Sequence, residues 1–350
     1  MPQPVVVAID HPSSVGAARR EASRLAALLG FDVTVAGQLA IAVTEVASNI
    51  GKHAGRGMLA LRRVERQDGA GQPVTAGLEV LAIDRGPGIA NIGRSLNDGY
   101  STAGTQGTGL GAIRRLTENF EIYSQPGKGT VVRFESWQRT QGTFVEHPPT
   151  AMPHGGISTT MPGETECGDD WLIASSSNRH VLFVVDGLGH GPEAAIAARV
   201  AVAAAMQAAH LGAEELLAEV HAALRPTRGA AAAVAILWHD KASCTYCGIG
   251  NISASIRRAG ASRSMMSHNG ILGHQVRTMK SFSYPFPHGA LCIAHTDGLA
   301  ARWDMDAYPG LEARHPALIA AVLLRDHGRS RDDTTVVAAR GPGSPSACAS

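Results

Sequence analysis

The sequence predicts an α+β protein made of two domains. Its 350 residues exceed the length at which a single hydrophobic core stops growing, so two domains of ordinary size are expected. Apolar residues recur at both helix and strand spacing in each half of the chain. Between the halves, residues 137–153 lose this periodicity and gather three prolines, which is typical of a connector.

These observations divide the chain into a first domain over residues 1–137, a linker over 138–152 and a second domain over 153–340. The remaining segment, residues 341–350, reads GPGSPSACAS and is built from small residues, Pro and Gly. Such a composition buries too little apolar surface to fold, so a disordered tail is predicted.

The composition is that of a soluble globular protein, with 44% hydrophobic and 17% charged residues. The formal net charge is +1 and no long basic run occurs, so neither nucleic acid nor an anionic membrane is an expected partner. The most apolar stretch, residues 194–209, is rich in alanine and broken by Arg199, so no membrane span is predicted. Five cysteines without framework spacing fit a reducing compartment, and a cytoplasmic location is expected.

The first domain is predicted to contain four strands and three helices, the third of which follows the glycine-rich segment described below. Apolar residues three and four apart over residues 15–29 predict an amphipathic helix that Gly30 ends. The second helix has its apolar stripe over residues 39–50, and Glu45 and Asn49, four residues apart, share a neighbouring face. The predicted strands cover residues 58–64, 78–83, 120–123 and 130–134.

The second domain is predicted to contain many strands and few helices, an arrangement that suggests stacked sheet and helix layers. One helix is long and rich in alanine, and a second covers residues 213–224. The predicted strands cover residues 171–174, 181–185, 231–238, 244–249, 252–257, 291–295 and 334–338.

The first domain carries signals typical of a nucleotide site. A predicted strand leads directly to Asp84, whose carboxylate can accept a hydrogen bond from an adenine amino group. The later segment GTGLGAIRRL opens a helix, where glycines let the backbone approach phosphates and the helix N-terminus attracts them. Asn49 offers a neutral oxygen to Mg²⁺, and Glu45 is one turn earlier, where it can deprotonate an attacking hydroxyl.

Taken one at a time, these fragments are better explained by ordinary turns and a solvated helix face. Their order is more specific, because EVASNIGKHA, IDRGPGI and GTGLGAIRRLTENFEIYSQPGKGT resemble the N box and the two glycine boxes of the GHKL ATPase superfamily. Within it, residues 5–135 most resemble the RsbT-type switch kinases, which phosphorylate STAS-domain antagonist proteins in bacterial stress signalling. The resemblance implies a GHKL (Bergerat) α/β sandwich that binds ATP and Mg²⁺.

The resemblance also implies a role for each matching residue. Asn49 would bind Mg²⁺, Glu45 would be the catalytic base and Asp84 would hold adenine. The residues implied to bind the cofactor through the pocket and its lid are Gly86, Gly88, Gly107, Thr108, Gly109, Leu110 and Gly111. No dimerisation helix with a phosphoacceptor histidine is recognisable in the sequence, so a histidine kinase is not predicted.

Acidic residues of the second half stand at the ends of predicted strands. Asp186 and Asp297 each follow an apolar run, Asp169 precedes the first strand and Asp332 the last. Each aspartate alone is better explained by a turn or a helix cap, and only the four together favour a site. Convergence of all four would require cations, and hard oxygen ligands favour Mg²⁺ or Mn²⁺. Because a pair of such ions activates water and clamps a phosphoryl group, the pattern predicts phosphate-ester hydrolysis.

The segments GETECGDDW, VVDGLGHG, GIGN, HNGILG, HTDGL and DDTTVV occur in the order found in PPM-type phosphatases of the SpoIIE and RsbX kind. This resemblance covers residues 153–340 and implies an α-β-β-α sandwich that holds two Mn²⁺ or Mg²⁺ ions. The implied metal ligands are Asp169, Asp186, Gly187 through its carbonyl, Asp297 and Asp332. The roles of the neighbouring Asp170 and Asp333 stay open, because a shift of one residue in alignment exchanges them.

Together, the two halves predict a bifunctional signalling switch protein. The first domain would phosphorylate Ser or Thr on a STAS-domain antagonist or stressosome-like partner, and the second would remove such a phosphate in a partner-switching stress pathway. Two alternatives stay open. The ATP domain either captures a sigma factor or antagonist without phosphorylating it, or senses nucleotide and gates the phosphatase. A downstream phosphatase is a further candidate partner.

Overall fold

The computed structural model describes residues 4–67, 73–96, 109–139, 152–176 and 178–341. The chain forms two compact units, Met1–His147 and Pro148–Ser350. Both units mix helices with strands, so the predicted α+β class is confirmed. Most of the predicted linker and all but the first residue of the predicted tail lie outside the described residues.

The first unit is one five-stranded antiparallel sheet with the order β1-β2-β3-β5-β4. Its strands are β1 (Val5–Ile9), β2 (Gly57–Gln67), β3 (Pro73–Asp84), β4 (Glu118–Gln125) and β5 (Gly129–Trp137). Its helices are α1 (Pro12–Leu28), α2 (Val33–Asn49), α3 (Ile92–Ser95) and α4 (Gly109–Leu116). A π turn, Ile50–Ala54, continues α2.

The core of the first unit lies between the helices and one face of the sheet. The α2 helix begins at Asp32, whose carboxylate accepts the N–H of Val35 at 2.9 Å and so caps the first turn. Together with its π turn, α2 is the one helix in the described part of the chain that is long and apolar enough to cross a membrane. Its apolar side chains form much of this core, and their packing there accounts for the high hydropathy of the helix.

The second unit contains two five-stranded sheets with the orders β13-β10-β9-β8-β7 and β12-β11-β14-β15-β6. The strands of the first of these sheets are β7 (Asp169–Ser175), β8 (Arg179–Gly187), β9 (Ala230–Trp238), β10 (Ser243–Ile249) and β13 (Phe282–Pro285). Those of the second are β6 (His154–Thr159), β11 (Ser253–Arg258), β12 (Ala261–Met265), β14 (Leu291–His295) and β15 (Thr334–Arg340).

The two sheets enclose one core and carry helices on their outer faces, which makes an α-β-β-α sandwich. The inner core joins side chains of both sheets, such as Val184 and Val337. Helices α5 (Pro192–Gln207) and α6 (Ala213–Leu224) pack on the other face of the first sheet. Helix α7 (Pro316–His327) packs on the second sheet, where Gly155 of β6 leaves room for Ala317.

Among the described residues, four strands and two helices were not predicted from the sequence. Helix α3 has four residues, too few to show an apolar period. The strands β1, β6, β12 and β13 all lie at an edge of their sheet and have six residues or fewer. A strand of so few residues offers too few apolar alternations for a period of two to stand out. In α7, ten of the twelve residues are buried, so the helix lacks the polar face that marks an amphipathic period.

Candidate nucleotide and metal sites

In the first unit, α2 and the start of α4 bring Glu45, Asn49 and Gly109 together. Glu45 and Asn49 are one turn apart on α2, and both are half-buried. A Cβ atom placed on Gly109 would lie 3.2 Å from Glu45 Oε2 and 3.4 Å from Asn49 Nδ2. A helix N-terminus attracts anions, and carboxylate and amide oxygens are ligands for Mg²⁺. The arrangement therefore suits a phosphate group that carries a magnesium ion.

Asp84 is the last residue of β3, and the backbone fixes its carboxylate. Its Oδ1 atom accepts the N–H of Gly86 at 2.8 Å and the N–H of Thr130 at 3.2 Å. The loop after β3 approaches the π turn, because a Cβ atom on Gly86 would lie 2.8 Å from the Cβ atom of Ala54. Since Ala54 ends the segment that continues α2, the Asp84 loop and the Asn49 helix are held as neighbours.

Gly88 lies where the backbone leaves no room for a side chain. Its φ is +71°, and a Cβ atom there would lie 2.1 Å from the carbonyl oxygen of Gln125. Both the left-handed conformation and the close approach require glycine. The fold of the loop accounts for Gly88 without any contact to a ligand, so its predicted role in binding nucleotide stays a prediction.

The remaining residues predicted for the nucleotide site lie around the start of α4. Gly107 and Thr108 are outside the described residues. Leu110 packs against the hydrophobic core of the first unit, and Gly111 is buried in α4. The Leu110 side chain serves packing and Gly111 has no side chain, so a role for α4 in holding phosphate rests on the backbone at its start.

In the second unit, the predicted acidic residues come to one edge of the sandwich. Asp169 opens β7 and Asp186 is near the end of β8, and the two are direct partners across these antiparallel strands. Asp297 follows β14 and Asp332 precedes β15, and these two strands are neighbours in the second sheet. The facing sheets thus collect carboxylates from four distant places in the sequence.

Hydrogen bonds join the two sheets at this edge. Nδ2 of Asn251 donates to Oδ2 of Asp297 at 2.7 Å and to Oδ2 of Asp186 at 3.2 Å. The Thr296 hydroxyl donates to Oδ2 of Asp169 at 2.6 Å. These bonds fix carboxylates of one sheet relative to those of the other.

The two acidic residues before β15 have different surroundings. Both oxygens of Asp333 accept backbone N–H groups, from Met161 at 2.7 Å and from Gly168 at 2.6 Å. Asp332 instead lies close enough to Asp297 for that charge to raise its pKa, and its Oδ1 atom accepts the N–H of Asp333 at 2.9 Å. Asp333 therefore anchors two backbone segments, and Asp332 lies beside another acidic side chain.

The two acidic residues at the start of β7 also differ. Successive side chains of a strand face opposite sides of the sheet, so Asp170 and Asp169 point in opposite directions. Oδ1 of Asp170 accepts the N–H of Trp171 at 2.8 Å. Asp169 is the one that shares a face with Asp186, its partner on β8.

Burial and mutual repulsion raise the pKa of the clustered carboxyl groups. The pKa of Asp186 is raised to about 7, first by burial and then by the charge of Asp297. Burial and the charge of Asp186 raise the pKa of Asp169 well above its ordinary value. The pKa of Asp332 is raised by burial and by Asp297. The cluster therefore brings together carboxyl groups whose negative charges would repel one another.

This cluster suits a divalent cation by its chemistry. Its donors are hard oxygens, which favour Mg²⁺ or Mn²⁺ over zinc. Among the described residues, no group of three or more His, Cys, Asp or Glu side chains has a geometry that could hold a metal ion as it stands. Carboxylates repel one another until a cation lies between them, so an open spacing of the acids is expected.

Gly187 ends β8 in a place that is closed to side chains. Its N–H donates to the carbonyl oxygen of Gly168 at 2.9 Å. A Cβ atom on Gly187 would lie 2.3 Å from the carbonyl oxygen of Ala194. Only a glycine fits there, which leaves the Gly187 carbonyl as the group that it offers to a cation.

Sequence reasoning missed Asn251 and Thr296, whose hydrogen bonds hold the acidic residues. Asn251 lies in the segment GIGN, and Thr296 directly precedes Asp297 in HTDGL. Both segments carried the resemblance to PPM-type phosphatases. An uncharged side chain in a turn has no pattern of its own that marks a site, so the contacts became visible only in three dimensions.

Comparison with known proteins gives a family for each unit. The family described as "Histidine kinase-like ATPase domain" matches residues 10–135, and "Stage II sporulation protein E (SpoIIE)" matches residues 176–342. The serine/threonine-protein kinase RsbT of Bacillus subtilis (strain 168) is 34% identical over 123 residues, which are 35% of this chain and 88% of RsbT.

Solved structures also match. A chain from "The bacterial stressosome: a modular system that has been adapted to control secondary messenger signaling" is 29% identical, with a TM-score of 0.51, and the match covers 54% of this chain and 100% of that one. RsbX in complex with magnesium is 21% identical, with a TM-score of 0.47, over 54% of this chain and 94% of that one.

The fold and the two sites define a class of protein that joins a kinase-like ATPase domain to a PPM-type phosphatase domain. The chain belongs to the RsbT family of serine/threonine kinases through its first unit, and its second unit is a SpoIIE-type phosphatase domain. Both predicted resemblances are confirmed, as is the prediction that the chain is an enzyme.

Proposed function

We propose that the chain is a bifunctional switch protein. Its first domain phosphorylates Ser or Thr on a STAS-domain partner with ATP and Mg²⁺, and its second removes phosphate from phosphoserine or phosphothreonine with two Mn²⁺ or Mg²⁺ ions. The observation that carries the proposal is that each domain gathers its polar residues at one place. In the first domain, Gly109 lies beside Glu45 and Asn49. In the second, Asn251 donates hydrogen bonds to acidic residues from both sheets.

In the kinase step, Glu45 accepts the proton of the partner's hydroxyl group as that oxygen forms a bond to the γ-phosphorus of ATP. The bond from this phosphorus to the bridging oxygen breaks, and ADP leaves. Asn49 holds Mg²⁺, and Asp84 holds adenine. Mg²⁺ supplies positive charge that neutralises the phosphates when it is bound. The backbone N–H groups at the start of α4 stabilise negative charge on the transferred group.

In the phosphatase step, the metal ligands are Asp169, Asp186, Asp297, Asp332 and the carbonyl of Gly187. When the two cations are bound, they activate water for attack on phosphorus and neutralise the phosphoryl oxygens. The chain supplies no side-chain nucleophile in this proposal. The Thr296 hydroxyl orients Asp169 through its 2.6 Å hydrogen bond, which holds one acid of the first sheet against the second sheet.

The proposed partner is a STAS-domain antagonist or a stressosome-like protein, and the proposed location is the cytoplasm. The RsbT relationship and the match to a stressosome structure support such a partner. A net charge of +1 gives no support for nucleic acid as a partner. Two opposed activities on one residue would only consume ATP, so we propose that they act on different partners or under separate control.

The experiment that tests the proposal incubates the full chain with γ-labelled ATP and candidate STAS proteins. Glu45→Ala is expected to abolish labelling of the partner. Asp186→Asn is expected to increase the label on a partner that both domains act on, because it removes dephosphorylation alone, and an unchanged label would mean that the two domains act on different partners. A partner that Glu45→Ala still binds, and that wild type never labels, would support a sigma-factor or antagonist-binding module instead. ATP-dependent phosphate release that Asn49→Ala abolishes, again without labelling, would support a nucleotide sensor.

A further inference from the structure

We propose that Asn251 is a positioning residue of the metal site, which holds the carboxylates of Asp186 and Asp297 at a fixed separation for cation binding. The inference rests on the proposed phosphatase function. It assigns a role to an uncharged residue whose side chain bonds acids from both sheets, whereas the acids themselves bind the cations.

The first argument is the direction of the hydrogen bonds. One nitrogen, Nδ2 of Asn251, lies 2.7 Å from Oδ2 of Asp297 and 3.2 Å from Oδ2 of Asp186. An amide NH₂ group has two hydrogens, one for each acceptor, and an ionised carboxylate only accepts. The amide engages Oδ2 of each acid and not Oδ1, so it orients each carboxylate through one of its two oxygens.

The second argument is the place of Asn251 in the fold. It lies in the turn that leads from β10 in the first sheet to β11 in the second. β10 runs parallel to β8, because both are antiparallel to β9, so its end lies at the same edge as Asp186. β11 is antiparallel to β14, and its first residue, Ser253, is paired with His295, two residues before Asp297. The turn therefore passes between the two acids.

The third argument is that the turn is rigid. The N–H of Gly250 donates to the carbonyl of His268 at 2.8 Å, and the N–H of His268 donates to the carbonyl of Gly248 at 2.8 Å. Gly250 has φ +94°, and a Cβ atom there would lie 2.5 Å from the Cβ atom of Ala231. A side chain on a fixed backbone can hold its partners in place, as groups that orient metal ligands do.

The test measures the affinity of the full chain for Mn²⁺ by calorimetry without ATP, so that the first domain has no nucleotide to carry a cation. Loss of a group that orients metal ligands weakens metal binding about 10- to 100-fold, and this is the effect expected for Asn251→Ala. Asn251→Asp has a similar shape but no N–H at neutral pH, and it is expected to bind Mn²⁺ at least as weakly as Asn251→Ala. The matched control is Asn269→Ala, in a neighbouring loop, which is expected to bind Mn²⁺ with the affinity of wild type.

Each outcome of these measurements either supports or overturns the inference. Mn²⁺ binding by Asn251→Ala that is unchanged or tighter overturns the inference. Mn²⁺ binding by Asn251→Asp that is as tight as in wild type also overturns it, because the side chain at 251 then acts as a ligand.

Asp186→Asn separates the inference on Asn251 from the proposed metal site. If this variant keeps full Mn²⁺ affinity, the proposed metal site itself is wrong. If Asn251→Ala does not fold in EDTA, as judged by its thermal transition, Asn251→Ser replaces it. Its hydroxyl keeps one donor, so its affinity should fall between those of Asn251→Asp and wild type, and any affinity outside that range overturns the inference.

Discussion

Asp169 and Asp186 lie directly opposite each other on β7 and β8. Opposed residues of antiparallel strands place their Cβ atoms about 5 Å apart on one face of the sheet, and like charges there are destabilising. The ionised pair therefore lowers the stability of the fold unless protons or a cation neutralise it. A costly pair at the edge where two further acids lie is better explained by function than by folding.

We predict that Asp186→Asn abolishes phosphatase activity. Even residues that only orient metal ligands change affinity or activity about 10- to 100-fold, so loss of a ligand should lower phosphate release at least ~100-fold. The measurement is phosphate release from a phosphorylated STAS partner in Mn²⁺. Asp240→Asn, the same change in an exposed turn, is the control. Undiminished release by Asp186→Asn would exclude Asp186 from the metal site.

We predict that Glu45→Gln lowers phosphoryl transfer about 10²- to 10⁴-fold, the usual contribution of a general base, and leaves ATP affinity unchanged. Transfer of label from ATP in the Asp186→Asn background measures the first effect, and equilibrium binding measures the second. Glu219→Gln, an exposed glutamate of α6, is the matched control. Transfer at the wild-type rate would mean that another group accepts the proton.

We predict that Gly88→Ala destabilises the first unit much more than Gly127→Ala. Both glycines have a left-handed φ, +71° and +78°, which costs about 1–2 kcal/mol for alanine. A Cβ atom at Gly127 meets nothing within 4 Å, whereas at Gly88 it would lie 2.1 Å from a backbone oxygen. The steric contact should add ~2 kcal/mol to the loss in free energy of unfolding by urea. An equal loss in free energy of unfolding for the two variants would show that the loop around Gly88 moves to accommodate the methyl group without an energetic penalty.

We predict that the protein in EDTA loses stability as the pH rises from 5 to 7.5. The pKa of Asp186 is raised from 3.8 to about 7 in the folded state, so the native state binds more protons than the unfolded state within that window. Its stabilising protonation is complete below the unfolded pKa and is lost as the pH rises through the folded pKa. For Asp186 alone, the loss should be about 2–3 kcal/mol in this window.

The measurement is the midpoint of thermal unfolding of the second unit against pH. Mn²⁺ should remove the slope, because a cation takes the place of the protons, and Asp186→Asn should reduce it. A midpoint that rises with pH in EDTA would contradict the prediction.

The sequence predicts a helix or strand well where its apolar residues repeat at a regular spacing and its ends are marked. Helix α6 and strand β14 were predicted with the bounds that they have, because α6 follows Gly212 and β14 is a continuous apolar run. The edge strand β1 and the buried helix α7 were missed. Their patterns depend on which neighbours cover them, and the chain alone does not contain that information.

Residue types and their order are enough to predict two domains, their families and a set of hard oxygen donors. Which of the acids share a face depends on the three-dimensional fold. Asp169 and Asp332 lie beside other carboxylates, whereas Asp333 binds the backbone. The reason is geometric, since strand register fixes the direction of each side chain and the packing of two sheets fixes which strand ends meet. Asn251 became part of the site for the same reason, because its turn crosses between those sheets.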